Sequence, residues 1–271
     1  MTLVMTDSIS RGPRAAGRAT RTISVIVTAM NEEGNLSETV GSVVNAVAQR
    51  IPDYEVIIVD DGSTDRTASI ADELARSNPR IRVHHNPRNI GLGRSYKIGI
   101  DLAAHEYTSW VAGNNIVSQE ALERLYDRVG ERDMVISYIL RDVRGWDRRT
   151  VSRAFTIGMN LLFSVRMRYY TGPCVYRSSV AKRLPMRATG SLFVAELLVR
   201  LLRAGQTYVE ISLMPKPRTA GATKTFRLKN MFDVFTSVLR LFWELRVETP
   251  LGITHRIDVP VAEDDHALHS R

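Results

Sequence analysis

Residues 55–67, EVIIVDDGSTDRT, run an apolar segment straight into two adjacent carboxylates. Val56, Ile57, Ile58 and Val59 form an unbroken β-branched run, the pattern of a strand covered on both faces, as in a parallel sheet. Gly62 and Ser63 turn the chain, and Ser63, Thr64 or Asp65 can cap a helix running to about Ala75. Asp60 and Asp61 therefore stand at the carboxyl end of a strand, where open α/β sheets hold ligands. A carboxylate there can accept hydrogen bonds from a ribose hydroxyl or a base imide. Taken alone, the same residues read equally well as a turn with a helix cap.

The segment TISVIVTAMNEEGNL, residues 22–36, repeats this grammar. A strand over Ile23–Val27 meets a polar break at Asn31, Glu32 and Glu33, and a helical pattern continues through Val47. Two successive strand-loop-helix units make a doubly wound α/β start. At 271 residues the chain can hold one large α/β domain. Cys174 is its only cysteine, which excludes a disulfide framework and a multi-cysteine metal site and suits a reducing cytosol. No run of 18 apolar residues predicts a membrane span. Arg11, Arg14, Arg18 and Arg21 among small residues predict a disordered basic arm over 1–21, with the folded domain starting near Thr22. The net charge of +8 suits anionic partners. No zinc-finger, RNA-binding or helix-turn-helix pattern supports nucleic acid. His84 and His85 fall in a strand with no spacing that links them to a metal site.

TAMNEE and VDDGSTD resemble, in order and spacing, the P-x-x-N-E and V-D-D-G-S-x-D loops of the family 2 glycosyltransferases. The resemblance implies a GT-A fold over residues 22–226, a Rossmann-like, mixed but mainly parallel sheet flanked by helices. It also implies a nucleotide-sugar donor held by Ala29, Asn31, Glu32, Asp60 and Asp61, with Asp61 toward the base and Asp60 toward the ribose. Asn89, Gly91, Gly93 and Arg94 are similar to the family's N-x-G-x-x-x-A region beside the nucleotide. Glycines there let backbone approach a ligand, and Arg94 or Lys97 at a helix start could face phosphates. An ordinary tight loop explains the glycines as well.

Where the family carries the D-x-D carboxylates that bind Mg²⁺ or Mn²⁺, the resemblance aligns Gly113, Asn114 and Asn115. An Asn carbonyl can ligate a hard cation but brings no charge, so metal affinity falls and Asn115 is the one remaining ligand candidate. Weak metal binding, metal-free catalysis and a degenerate site all stay open. Residues 133–153 predict a strand and then a basic loop resembling that of polyprenyl-phosphate glycosyltransferases. Arg141 and Arg153 are its leading candidates for binding a donor or acceptor phosphate. YYTGPCVYR, residues 169–177, resembles D-x-x-S-G-F-R-L-Y without its aspartate. Glu196, on a predicted amphipathic helix ending at Gly205, matches the family's E-L-L helix and is either a catalytic base or a solvated glutamate. PKPRTAGATKTF, residues 215–226, is similar to the family's R-x-x-G-x-S-K strap. Arg218 and Lys224 there would stabilise the departing nucleoside diphosphate.

Residues 227–247 predict a C-terminal amphipathic helix, with Phe232, Phe235, Val238, Leu239 and Phe242 at helical spacing among cations, followed by a tail over 248–271. The helix could lie on a membrane surface, pack on the domain or form a homodimer. The resemblance implies an inverting transferase using a UDP- or GDP-sugar, cytoplasmic or peripheral on the cytoplasmic membrane face, with a polyprenyl phosphate as candidate acceptor. The alternatives are a soluble transferase for a small-molecule or glycan acceptor and a non-catalytic nucleotide-sugar-binding protein.

Overall fold

The computed structural model describes residues 21–139, 146–190, 192–213 and 228–248. The first strands and helices alternate as the sequence predicts: β1 (Thr22–Ala29), α1 (Leu36–Ala48), β2 (Asp53–Asp60), α2 (Thr67–Ser77), β3 (Ile81–His85), α3 (Leu92–Leu102), β4 (Tyr107–Ala112) and α4 (Gln119–Asp127). Then come β5 (Met134–Ile139), α5 (Trp146–Phe163), β6 (Cys174–Arg177), α6 (Ser178–Arg183), α7 (Phe193–Arg203), β7 (Tyr208–Leu213) and α8 (Leu228–Trp243), which ends in a π-helical turn over Glu244–Glu248.

The seven strands form one sheet in the order β3-β2-β1-β4-β6-β5-β7. All pairings are parallel except those of β6, which runs antiparallel to β4 and β5. The unbroken apolar strands follow from burial on both faces. Val25, Val27, Val56 and Ile58 point into a core under α1 and α4, whereas Ile26, Ile57 and Val59 point into a second core with α3, α5 and α7. The period of two along a strand distributes its residues between these layers. In the second core Phe193 of α7 packs edge-on against Tyr96 of α3 and Trp110 of β4, each at 4.9 Å between ring centroids.

Three expectations change. The predicted basic loop is helical from Trp146, so Arg149 and Arg153 are exposed side chains of α5. The helix carrying Glu196 is not amphipathic in the expected sense, because Phe193 to Leu201 are buried all round. The predicted single apolar stripe of the C-terminal helix divides. Val238 and Phe242 pack on the core, as does buried Leu241, while Phe235, Leu239 and Trp243 remain exposed. The basic arm up to residue 20, Arg141, the strap with Arg218 and Lys224, and the tail beyond Glu248 lie outside the described residues.

Candidate donor site

Adjacent parallel strands end in register, so their loops meet at one edge. The Asp61 N–H donates to the Ala29 carbonyl and the Gly113 N–H to the Thr28 carbonyl, both at 2.9 Å, and the Asn86 N–H donates to Asp60 O at 2.9 Å. The loops after β1 and β2 then clasp each other. Asn31, at a left-handed φ of 54°, accepts through its side-chain carbonyl from the Thr64 N–H at 2.8 Å. In return the Asn31 N–H donates to Ser63 Oγ at 3.0 Å and the Glu32 N–H to Thr67 Oγ1 at 2.8 Å. Asn31 and Glu32 thus shape the edge through contacts between loops. Asp65, one of the three proposed caps, accepts from the Thr67 N–H at 2.9 Å as α2 begins.

The two aspartates differ in what they hold. Asp60 accepts from the Ser63 N–H at 3.1 Å, and its other oxygen lies 3.0 Å from His85 Nδ1. His85 Nε2 reaches Asp72 at 3.1 Å, so the ring bridges two carboxylates. Burial alone would lower the His85 pKa, but the hydrogen bonds to Asp60 and Asp72 outweigh it and raise the value above 6.5. Asp61 instead turns toward the loop before α3, where Oδ1 accepts from the Ile90 N–H at 2.9 Å and Asn86 Nδ2 at 3.1 Å, and Oδ2 from the Gly91 N–H at 3.1 Å. Gly62, at φ 67°, brings this turn against the neighbouring loop. A Cβ on it would stand 2.4 Å from the Arg88 carbonyl carbon.

Between these loops opens a cleft of about 700 Å³, bordered by Met30, Asp60, Ser63, Thr64, Asp72, His85, Arg88 and Asn89. Asp60 lines it and Asp61 stands behind it. His85, Asp72 and Arg88 were not singled out as site residues from the sequence. The register that sets Asp60 opposite His85 is the signal that could have found the histidine. Gly91 and exposed Arg94 flank the start of α3, while Lys97 is paired with Asp101. The Cys174 thiol is buried, which pushes its pKa up to about 12 and removes it as a nucleophile.

At the end of β4, Asn115 is 1% exposed and takes a φ of 54°, and neither of its side-chain polar atoms has a hydrogen-bond partner. Asn114 Oδ1 is also buried without a partner. A buried amide group left without a partner costs about 1–3 kcal/mol. Both amides are neutral, however, and a hard divalent cation favours carboxylate oxygens. Among the described residues no group of three or more His, Cys, Asp or Glu side chains could hold a metal. Asn114 and Asn115 therefore bring no carboxylate to a Mg²⁺ or Mn²⁺ ion at the end of β4.

Glu196 is neither a solvated helix-face residue nor a free base. It is 3% exposed; Oε1 accepts from Arg200 Nε at 2.9 Å and Nη2 at 2.8 Å, and Oε2 from the Ala188 N–H at 2.7 Å and the Arg187 N–H at 3.1 Å. Both of its carboxylate oxygens are engaged by these donors, and it does not border the cleft.

The doubly wound half-sheet, the cleft at its carboxyl edge and the interlocked loops define an open, doubly wound class of α/β fold, which holds ligands at the carboxyl ends of its strands. The family model for glycosyl transferase family 2 matches residues 24–184. The chain belongs to glycosyl transferase family 2, and with it to the glycosyltransferases. It is similar to the polyprenol monophosphomannose synthase of Mycolicibacterium smegmatis, with 30% identity over 78% of this chain and 83% of that protein. It is also 29% identical to glycosyltransferase AglD of Haloferax volcanii over 92% of this chain, but it spans only 41% of that longer protein. The glucosyl-3-phosphoglycerate synthase of Mycobacterium tuberculosis, solved with phosphoglyceric acid, shares the fold at a TM-score of 0.63 and 19% identity, over 83% of this chain and 79% of that one. The same synthase has been solved with Mn²⁺ and uridine diphosphate.

Proposed function

We propose that this chain moves a sugar from a UDP- or GDP-sugar to a polyprenyl phosphate, with inversion at the anomeric carbon. The observation that carries the donor half is the cleft bordered by Asp60. Its volume of about 700 Å³ lies within the range of about 300–1,000 Å³ common to small-molecule sites. Asp60 would accept from the nucleoside, and Asp61 would support it by fixing the adjoining loop. Ala29, Asn31 and Glu32 would form the wall. Gly91 and Arg94, at the positive end of α3, would face the diphosphate. The orphaned amides of Asn114 and Asn115 would hydrogen-bond the sugar or the diphosphate.

The polyprenyl phosphate half follows the activity named for the mycobacterial relative and the chemistry of the site. A phosphate oxygen is already anionic and needs no general base, which suits a site where Glu196 is occupied. That oxygen would attack the anomeric carbon as the bond to the donor diphosphate breaks. The nucleoside diphosphate leaves with the electron pair, its charge stabilised by Arg218 and Lys224. Arg141 and Arg153 would receive the acceptor phosphate.

No helix among the described residues is long and apolar enough to cross a membrane. The outer faces of α5 and α8 nevertheless expose Val151, Ile157, Leu161, Phe235, Leu239 and Trp243, with Leu161 at 75% and Trp243 at 57%. Exposed Arg149, Arg153 and Arg240 share these helices. Apolar anchors with arginines on the same helices suit an anionic membrane surface, where the acceptor would reside, and the expected location is its cytoplasmic face. The test is a thermal-shift screen of UDP- and GDP-sugars, followed by transfer assays with the stabilising donor and a polyprenyl phosphate in anionic liposomes. Lipid-linked sugar supports the reading. Transfer to a soluble acceptor without liposome association, or donor binding without any transfer, would replace it.

A further inference from the structure

We infer that Glu196 is a positioning residue for the donor cleft, holding the 187–189 segment against the start of α3, with Arg200 and Glu244 tying that hold to the C-terminal helix. The inference rests on the donor reading above for its functional consequence, but its structural part stands by itself.

Glu196 and Arg200 lie one turn apart on the buried helix α7, and Arg200 is 4% exposed. A buried ion pair is weak evidence for stability, because desolvating two charges offsets most of their attraction. Here the pair's remaining hydrogen-bonding capacity is directed at two other segments. One carboxylate oxygen of Glu196 takes the N–H groups of Arg187 and Ala188, and Arg200 Nη2 donates to Glu244 Oε2 at 3.0 Å. Arg187 also approaches Glu244, at 3.7 Å. The network therefore joins α7, the 187–189 segment and the turn that ends α8.

The held segment in turn caps α3. The Gly93 N–H, one of the four N-terminal donors that a helix cannot satisfy itself, donates to the Thr189 carbonyl at 2.9 Å. The approach is so close that a Cβ on Gly93 would stand 1.9 Å from the Ala188 carbonyl oxygen. Two residues earlier, the Gly91 N–H is taken by Asp61, whose neighbour Asp60 borders the cleft. A shift of residues 188–189 would thus free the Gly93 N–H and loosen the α3 start that the donor diphosphate is proposed to face. The connection runs from Glu244 through Arg200 to Glu196, from Glu196 to the Ala188 N–H, and along the chain through Thr189 to Gly93, two residues from the Gly91 N–H held by Asp61.

Amide hydrogen exchange and nucleotide titration on the full chain test this, using Glu196→Gln and Glu244→Gln. Glu196→Gln is expected to speed exchange at Gly91 and Gly93 by about tenfold while β1 amides keep their protection, because local opening differs from global unfolding. Its Kd for UDP or GDP, whichever the wild type binds, is expected to rise by about three- to tenfold, a loss of about 1 kcal/mol. Glu244→Gln should move both readouts in the same direction by less. It carries the test if Glu196→Gln fails to fold. Unchanged exchange at Gly91 and Gly93 in the folded variants would overturn the inference. So would a uniform rise across the sheet, which marks simple destabilisation. If the wild type binds neither nucleotide, the donor reading fails, while exchange at Gly93 still decides the coupling.

Discussion

Asp60 and His85 meet at 3.0 Å across the ends of two neighbouring parallel strands, with the far side of the ring on Asp72 at 3.1 Å. The histidine therefore binds its proton more tightly in the folded protein than in the unfolded chain. Stabilisation from a raised histidine pKa is fully present below the unfolded value, about 6.5, and is lost as pH rises through the folded value. An NMR titration should give His85 a pKa above 6.5 that falls back in Asp72→Asn. A value at or below 6.5 in the wild type contradicts this arrangement.

Asp60 and Asp61 should separate in their effects. Asp61→Ala removes the partner of the Ile90 N–H, while the Gly91 N–H keeps Asn89 Oδ1 and Asn86 Nδ2 keeps Ser95 Oγ, each at 2.9 Å, so urea unfolding should show a loss of about 1–3 kcal/mol. Asp60→Asn keeps an acceptor for the Ser63 N–H and should melt closer to the wild type. Equal destabilisation by both substitutions would contradict the division of labour.

Gly93→Ala places a methyl group against the Ala188 carbonyl oxygen, a backbone atom that cannot rotate away. Overpacking of this kind costs about 1–3 kcal/mol, readable as a lowered denaturant midpoint with an unchanged slope. Gly41→Ala, where nothing lies within 4 Å of the new Cβ, is the control and should be neutral or stabilising.

Phe235→Ser combined with Leu161→Ser removes apolar surface from both exposed helix faces. Co-sedimentation with anionic liposomes should fall while the far-UV spectrum is retained. If liposome binding is unaffected, or if the wild type instead sediments as a dimer that the double variant splits, these faces meet another copy of the chain.

Donor-induced stabilisation should survive EDTA, because the polar groups described at the end of β4 are the neutral amides of Asn114 and Asn115. Stabilisation abolished by EDTA and restored by Mn²⁺ would mean that the ion has other ligands.

The parallel half of the fold was legible because its signals are local and periodic. Val56 to Val59 declare a strand buried on both faces, and Asn31 and Asp60 mark where strands give way to loops. The site was legible only as an edge. Which aspartate lines the cleft depends on hydrogen bonds from residues 86–91, about thirty positions away, which no spacing rule encodes. Glu196 was misread for the same reason. Its helix looks amphipathic locally, but Arg200 and Glu244 supply the charge that allows its polar side to be buried.

Titration calorimetry of the full chain with UDP- and GDP-sugars, comparing the wild type with Asp60→Asn, tests the central claim most directly. The proposed donor cleft requires saturable binding of one of these nucleotides by the wild type and a loss of at least about tenfold in Asp60→Asn. No binding of either nucleotide, or equal affinity in the two proteins, would contradict it.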